Sequence, residues 1–174
     1  SDVNTISLLE IIISNNSVPE PVGKKVVLAD NSPIWGNGFR FEEDDMHYIT
    51  TMHMLDEASK VCMISSKEFR SSTIYLSNND TACLNLIGWF IMVAFGQGVL
   101  PYKTIMIHAS TVERNQEEAY AFLGKSGTGK STHSQLWLKY LNGFTLLNDD
   151  NPAIRIFEDD KVYIYGTPWS GKTP

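Results

Sequence analysis

Basic charge is scarce in this sequence of 174 residues: 14 Lys and Arg stand against 20 Asp and Glu, a net charge of −6. A nucleic-acid binder would present a basic face, so that class is not expected. Arginine is scarcer still, confined to Arg40, Arg70, Arg114 and Arg155, with no cluster suited to gripping a polyanion. Cysteine occurs only as Cys62 and Cys83, too few for a disulfide framework and without metal-ligand spacing. Both lie in apolar surroundings ("KVCMIS", "TACLNL"), which reads as buried thiols of a cytoplasmic protein. No apolar run is long enough to span a bilayer. "ISLLEIII" contains Glu10 and has no basic leader, so it is not a signal peptide. "LNLIGWFIMVAFGQGVL" (84–100) falls short of a span and carries Asn85, Gln97 and three glycines, so a buried core helix is expected and no membrane contact. Repeats, low-complexity tracts and linkers are also lacking.

What remains is the composition of a folded globular chain, 43% hydrophobic and 20% charged. Residues 1–80 read as a β-rich part: "KKVVLAD", "MHYITTMHM", "KVCMISS" and "STIYLSN" are rich in β-branched and aromatic residues, with turns at "NSPIWGNG" and "SNND". The acidic run Glu42-Glu43-Asp44-Asp45 is expected to be a solvated loop. Asp80 is an expected N-cap for the apolar helix over 81–98, which opens a second part, 81–174. There "KTIMIHASTV" and "AYAFLG" read as a hairpin turning at "ERNQEE". "STHSQLWLKYLNGF" reads as a helix ending near Gly143, and "TLLNDD" as a short buried strand ending in two acids. "PAIRIF" and "KVYIYG" complete a second hairpin, with "KVYIY" expected beside the strand that ends in the acids.

The pattern G-x-x-x-x-G-K-[ST], the P-loop, occurs twice: "GKSGTGKS" at 124–131 and "GTPWSGKT" at 166–173. The first stands between a predicted strand and a predicted helix. Gly124, Gly127 and Gly129 allow successive backbone N–H groups to turn inward and form a nest for anionic oxygens, at the positive end of the following helix. Lys125, Ser126, Thr128 and Thr132 complete the phosphate-binding stretch, Lys130 reaches the β and γ phosphates, and Ser131 ligates Mg²⁺. Asp149 and Asp150, at the end of a neighbouring strand, are candidate metal ligands and bases. Side chains alternate along a strand, so only one of them is expected to face the metal. His108, on the preceding strand, needs a polar partner and could act with one of these acids on a hydroxyl nucleophile. His133, His47 and His53 have structural or surface readings.

Taken together, "IHAS…AFLGKSGTGKST…LLNDD…YGTPWSGK" resembles the catalytic domain of HPr kinase/phosphorylase, a family related to ATP-dependent phosphoenolpyruvate carboxykinase. The resemblance covers roughly residues 103–172. It implies an α/β fold, a mixed sheet with flanking helices around the P-loop, preceded by the β-rich part. It implies ATP and Mg²⁺ as cofactors, with His108, Lys130, Asp149 and Asp150 as catalytic residues and Ser131, Asp149 and Asp150 at the metal. The implied activity is transfer of the ATP γ-phosphate to a hydroxyl on a protein serine or a small molecule. Ala109-Ser110 stands where the family has Gly after the histidine, and Thr132 where it has Glu. The family's HPr-binding region lies beyond Pro174, so HPr itself is not the expected acceptor. A nucleotide-binding regulatory module without catalysis is the alternative, and carboxykinase chemistry a more distant one. The expected partners are a nucleotide and a phosphate acceptor, and a homo-oligomer is compatible with this reading.

The second pattern match reads as a coincidence of letters. Pro168 removes a donor that a phosphate nest would use, and no helix follows it to complete the site. The sequence stops on a strand and loop, so the chain is open to being C-terminally incomplete. The closing loop could instead neighbour the first site, with Trp169 packing there and Lys172 approaching a phosphate.

Overall fold

The computed structural model describes residues 7–34, 37–53, 60–76 and 81–171, with side chains at all of these except 31–34, 37, 53, 60 and 81–85. The predicted cap Asp80, the side chain of Cys83, and Lys172 lie outside the described residues. Two compact units divide the chain, Ser1–Gly98 and Val99–Pro174.

In the first unit six strands form one sheet: β1 (Glu10–Ser14), β2 (Val26–Ile34), β3 (Asn37–Glu43), β4 (His47–His53), β5 (Lys60–Ser66) and β6 (Ser71–Leu76). Their order is β1-β6-β5-β4-β3-β2, an antiparallel meander from β2 to β6 with β1 added parallel to β6. The β6 side chains alternate as the pleat requires, with Ser72, Ile74 and Leu76 buried between half-buried neighbours. Helix α1 (Thr81–Gly98) lays Leu86, Phe90 and Ala94, spaced four apart on one face, against Val61, Met63, Ile74 and Leu76. A buried core helix is what the sequence predicts, but it packs on the β-rich part and falls in the first unit, not in the part 81–174 that it is expected to open. Among the described residues no helix is long and apolar enough to cross a membrane.

Two expectations are corrected here. The turn expected over "NSPIWGNG" is narrower than that segment, because β2 runs through Asn31–Ile34 and pairs antiparallel with β3 from Asn37, while residues 35 and 36 lie outside the described residues. Pro33 is tolerated because β2 is an edge strand and its register with β3 shifts between Asn31 and Ile34. The acidic run is not a solvated loop either. Glu42 is buried in β3 between Lys25 (2.8 Å) and Arg40 (3.1 Å), and buried Asp44 accepts from the amides of Val22, Met46 and His47.

The second unit begins with a 3₁₀ turn (Leu100–Tyr102), followed by β7 (Thr104–Met106), β8 (Ala109–Arg114), β9 (Glu118–Leu123), α2 (Lys130–Tyr140), β10 (Phe144–Asn148), β11 (Ala153–Ile156) and β12 (Val162–Tyr165). They form two three-stranded sheets, β10-β8-β9 and β12-β11-β7, antiparallel at every pairing. Because β9 and β10 are each antiparallel to β8, they run parallel to one another with β8 between them. Helix α2 covers one face of that sheet through Trp137, whose ring centroid lies 5.0–5.2 Å from those of Tyr120, Phe122 and Phe144.

The expected α/β mixed sheet with flanking helices is therefore not the fold. Among the described residues the protein is β-rich, 44% strand and 19% helix, in three sheets with two α-helices. The cause lies in the connections. Parallel neighbours need a crossover of a dozen or more residues, whereas the β8–β9 and β11–β12 links are short hairpins that enforce antiparallel pairing. Two further details differ. "KTIMIHASTV" is not one strand but two, β7 and β8, which belong to different sheets. "KVYIY" (β12) pairs with β11 and not with β10, the strand that leads to the acids.

Candidate functional site

Between β9 and α2 the chain turns through Gly124–Gly129. Gly127 and Gly129 have φ of +80° and +90°, a region that side chains with a Cβ rarely enter. At Gly124 a Cβ would stand 2.7 Å from the Thr128 hydroxyl, which itself donates to the Lys125 carbonyl at 2.8 Å. Glycine is thus favoured by backbone angle at Gly127 and Gly129, whereas a Cβ at Gly124 would only displace the Thr128 hydroxyl. Gly129 is the N-cap of α2 and brings no side-chain cap, so the first amides of the helix have no capping side chain. Lys130 folds back over the loop, donating to the carbonyls of Gly124 (3.0 Å) and Lys125 (3.2 Å). Lys125, Ser126, Thr128, Ser131 and Thr132 are exposed around this turn.

The break between β7 and β8 positions His108. Ile107 N–H donates to the Pro152 carbonyl and Ala109 N–H to that of Asp150, so the chain crosses from one sheet to the other alongside residues 150–152. His108 Nε2 lies 3.4 Å from Asp150 Oδ1, and both side chains are about half exposed, 49% and 43%. Asp149 faces the other way, buried, and accepts from the Ser110 hydroxyl at 2.5 Å. Ser110 in turn lies 2.5 Å from the hydroxyl of Ser134, on the second turn of α2. The two acids lie in the bend after β10, not on the strand itself, and are separated there, Asp149 buried and Asp150 half exposed.

Asn148 holds this bend. Fully buried, it accepts from the amides of Asp150 (3.0 Å) and Asn151 (2.9 Å) and donates to the Thr167 carbonyl (3.1 Å). The closing loop packs on the same segment. Thr167 Oγ1 donates to the Asn151 carbonyl, Asn151 N–H donates to that of Trp169, and Asp149 N–H donates to Ser170 Oγ. A Cβ on Gly166 would meet the Leu147 carbonyl at 2.9 Å, and one on Gly171 the Asp149 carbonyl at 2.9 Å. The two glycines that produce the second pattern match are there for close backbone approach.

The structure thus brings His108 to Asp150, and Asp149 through Ser110 to α2, the helix that carries Lys130 and Ser131. His133 packs edge-on to Phe122 and accepts from the Trp137 indole, a structural role. His47 lies 3.5 Å from Asp44 in the first unit. Sequence reasoning passed over Ser110, Ser134, Asn148 and Thr167. Ser110 and Ser134 carry no signal because small hydroxyls are common in strands and helices. "LLNDDNP" did contain Asn148, whose type favours bends.

The phosphate groups of a nucleotide fit the glycine loop, on the strength of its glycine-only angles and the uncapped helix start. Among the described residues no group of three or more His, Cys, Asp or Glu is placed to cage a metal ion. A cation held mainly by phosphate oxygens and water, with Ser131 as its protein ligand, is compatible with that sparseness. No protein-family profile, curated protein or solved structure matches the chain.

Proposed function

We propose that the second unit is a phosphotransferase that moves the γ-phosphate of ATP to a hydroxyl. The observation that carries this reading is the pair of features in one unit: a glycine loop at an uncapped helix N-terminus, and an accessible histidine–carboxylate pair at 3.4 Å. The resemblance of the motif string to HPr kinase/phosphorylase supports it.

The roles follow from the chemistry of each group. Backbone N–H groups of the glycine loop and the start of α2 hold the phosphates. Lys130, released from its own loop carbonyls, neutralises charge on the transferring group. Mg²⁺, when bound, supplies further charge neutralisation at the phosphates, and Ser131 would hold it. Asp150 accepts the proton of the acceptor hydroxyl as the new O–P bond forms and the bond to the ADP oxygen breaks. His108 orients that carboxylate. Asp149, committed to Ser110, is not the base.

The experiment is transfer of label from γ-labelled ATP to a cell extract, comparing the natural chain with Asp150→Asn. Transfer by the former and a loss of about a hundredfold or more in the latter is expected. Equal transfer by both would remove the base, and ATP binding without transfer would favour a regulatory nucleotide-binding module.

A further inference from the structure

The buried hydroxyl chain between α2 and the acid bend has a role that the phosphate loop and the His108–Asp150 pair do not supply. Ser110 and Ser134 are wholly buried, and Asp149 nearly so. Ser110 has one proton and gives it to Asp149 Oδ1, so the hydrogen bond between the two serines uses the proton of Ser134. The longer contact of Ser134 with the Lys130 carbonyl, 3.3 Å, competes for that same proton and is the weaker of the two. The chain therefore has a direction, from Ser134 through Ser110 to Asp149, and ends on a carboxylate whose backbone amide donates to Ser170. Its first member lies one helical turn after Lys130. Its last precedes Asp150 in sequence. A hydrogen bond to a carboxylate is of the stronger kind.

We propose that Ser110 is a positioning residue that locks the phosphate-gripping turn of α2 to the acid bend, so that the nucleotide held by Lys130 and the base Asp150 are set in register. Asp149 serves as the buried anchor of this lock. The inference rests on the phosphotransferase reading, and it adds residues that the motif pattern does not contain: Ser110 stands within the Ala109-Ser110 departure from the resembling family.

The test uses the full chain with ¹³C-labelled aspartate carboxyl groups, ATP and Mg²⁺, with water as the acceptor so that no natural acceptor is needed. Ser110→Ala and Ser134→Ala are compared with the natural chain, and folding is checked by denaturant titration. ATP is expected to shift the Asp149 carboxyl resonance in the natural chain and to leave it unmoved in folded Ser110→Ala. ATP hydrolysis at saturating nucleotide is expected to fall by about ten- to a hundredfold, with ATP affinity changed by less than about threefold, the pattern of misplacement rather than lost binding. Ser134→Ala, which keeps the Ser110–Asp149 bond, is expected to lose the ATP-induced shift as well. An unchanged shift and unchanged hydrolysis in folded Ser110→Ala would overturn the lock while leaving the phosphotransferase reading intact. A natural chain that binds ATP, shows the shift and loses it in Ser110→Ala, but does not hydrolyse or transfer, would retain the lock and overturn catalysis. No ATP binding by the natural chain would overturn both.

Discussion

Asn148 donates its side-chain amide to the carbonyl of Thr167, nineteen residues later, across a distance of 3.1 Å. The same side chain accepts two amides from the bend that carries Asp150. One fully buried residue thus joins the acid bend to the closing loop. Asn148→Ala is expected to destabilise the fold by about 2–4 kcal/mol, because several buried polar groups lose their partner at once. Asn148→Asp keeps the acceptor but sets a buried carboxylate oxygen against the Thr167 carbonyl, so it is expected to destabilise too, and more at neutral than at acid pH, where the protonated carboxyl can donate. Denaturant titration of both variants at the two pH values checks this.

Gly166 and Gly171 make a second stability prediction. A methyl group at either would stand 2.9 Å from a backbone carbonyl oxygen, which cannot swing aside as a side chain can. Gly171→Ala and Gly166→Ala are each expected to cost about 1–3 kcal/mol by overpacking. Gly129→Ala should behave differently. Its Cβ meets nothing within 4 Å, so the cost is the φ of +90°, about 1–2 kcal/mol. Its main effect should appear in ATP affinity. The contrast, measured by denaturation and ATP titration side by side, separates a packing glycine from a phosphate-loop glycine.

The glycine turn between β9 and α2 was legible in the sequence because its signal is local: three glycines at fixed offsets, before a run that can form a helix. The strands β4, β5 and β6 were legible for the same kind of reason, their richness in β-branched and aromatic residues. The sheet topology was not. Whether β12 pairs with β10 or β11, and whether residues 103–112 form one strand or two, depends on hydrogen bonds such as Ala109 N–H to the Asp150 carbonyl, which join residues far apart in sequence. The burial of Glu42 and Asp44 was hidden too. An acidic run signals solvent unless the cations and amides that satisfy it, here Lys25, Arg40 and the Val22 N–H, can be seen. The two-fold pattern match shows the converse error, since Gly166 and Gly171 satisfy a phosphate-loop pattern for reasons of backbone packing.

The buried acids predict how the first unit responds to pH. Burial alone would raise the Asp44 carboxyl, but the amides of Val22, Met46 and His47 hold it below its ordinary 3.8. Burial likewise opposes ionisation of Glu42, and Lys25 and Arg40 outweigh it, keeping that group below 4.5. A carboxyl whose folded value is depressed contributes its full stabilisation above its unfolded value and loses it as pH falls through the folded one. Stability should therefore be steady with respect to these groups above about pH 5 and decline below about pH 4. Asp44→Asn should flatten that acid decline. An equally steep decline in the variant would mean that Asp44 does not drive it.

The central claim, that Gly124–Ser131 grips the phosphates of a nucleotide, is tested most directly by calorimetric titration of ATP into the natural chain and into Lys130→Ala, with and without Mg²⁺. Lys130 contacts only loop carbonyls among the described hydrogen bonds, so its removal should leave the fold intact. The account predicts saturable binding by the natural chain and affinity at least about tenfold weaker in Lys130→Ala, as expected for loss of a charge-assisted phosphate contact. Equal affinity in the two proteins, or no binding by the natural chain, would contradict it.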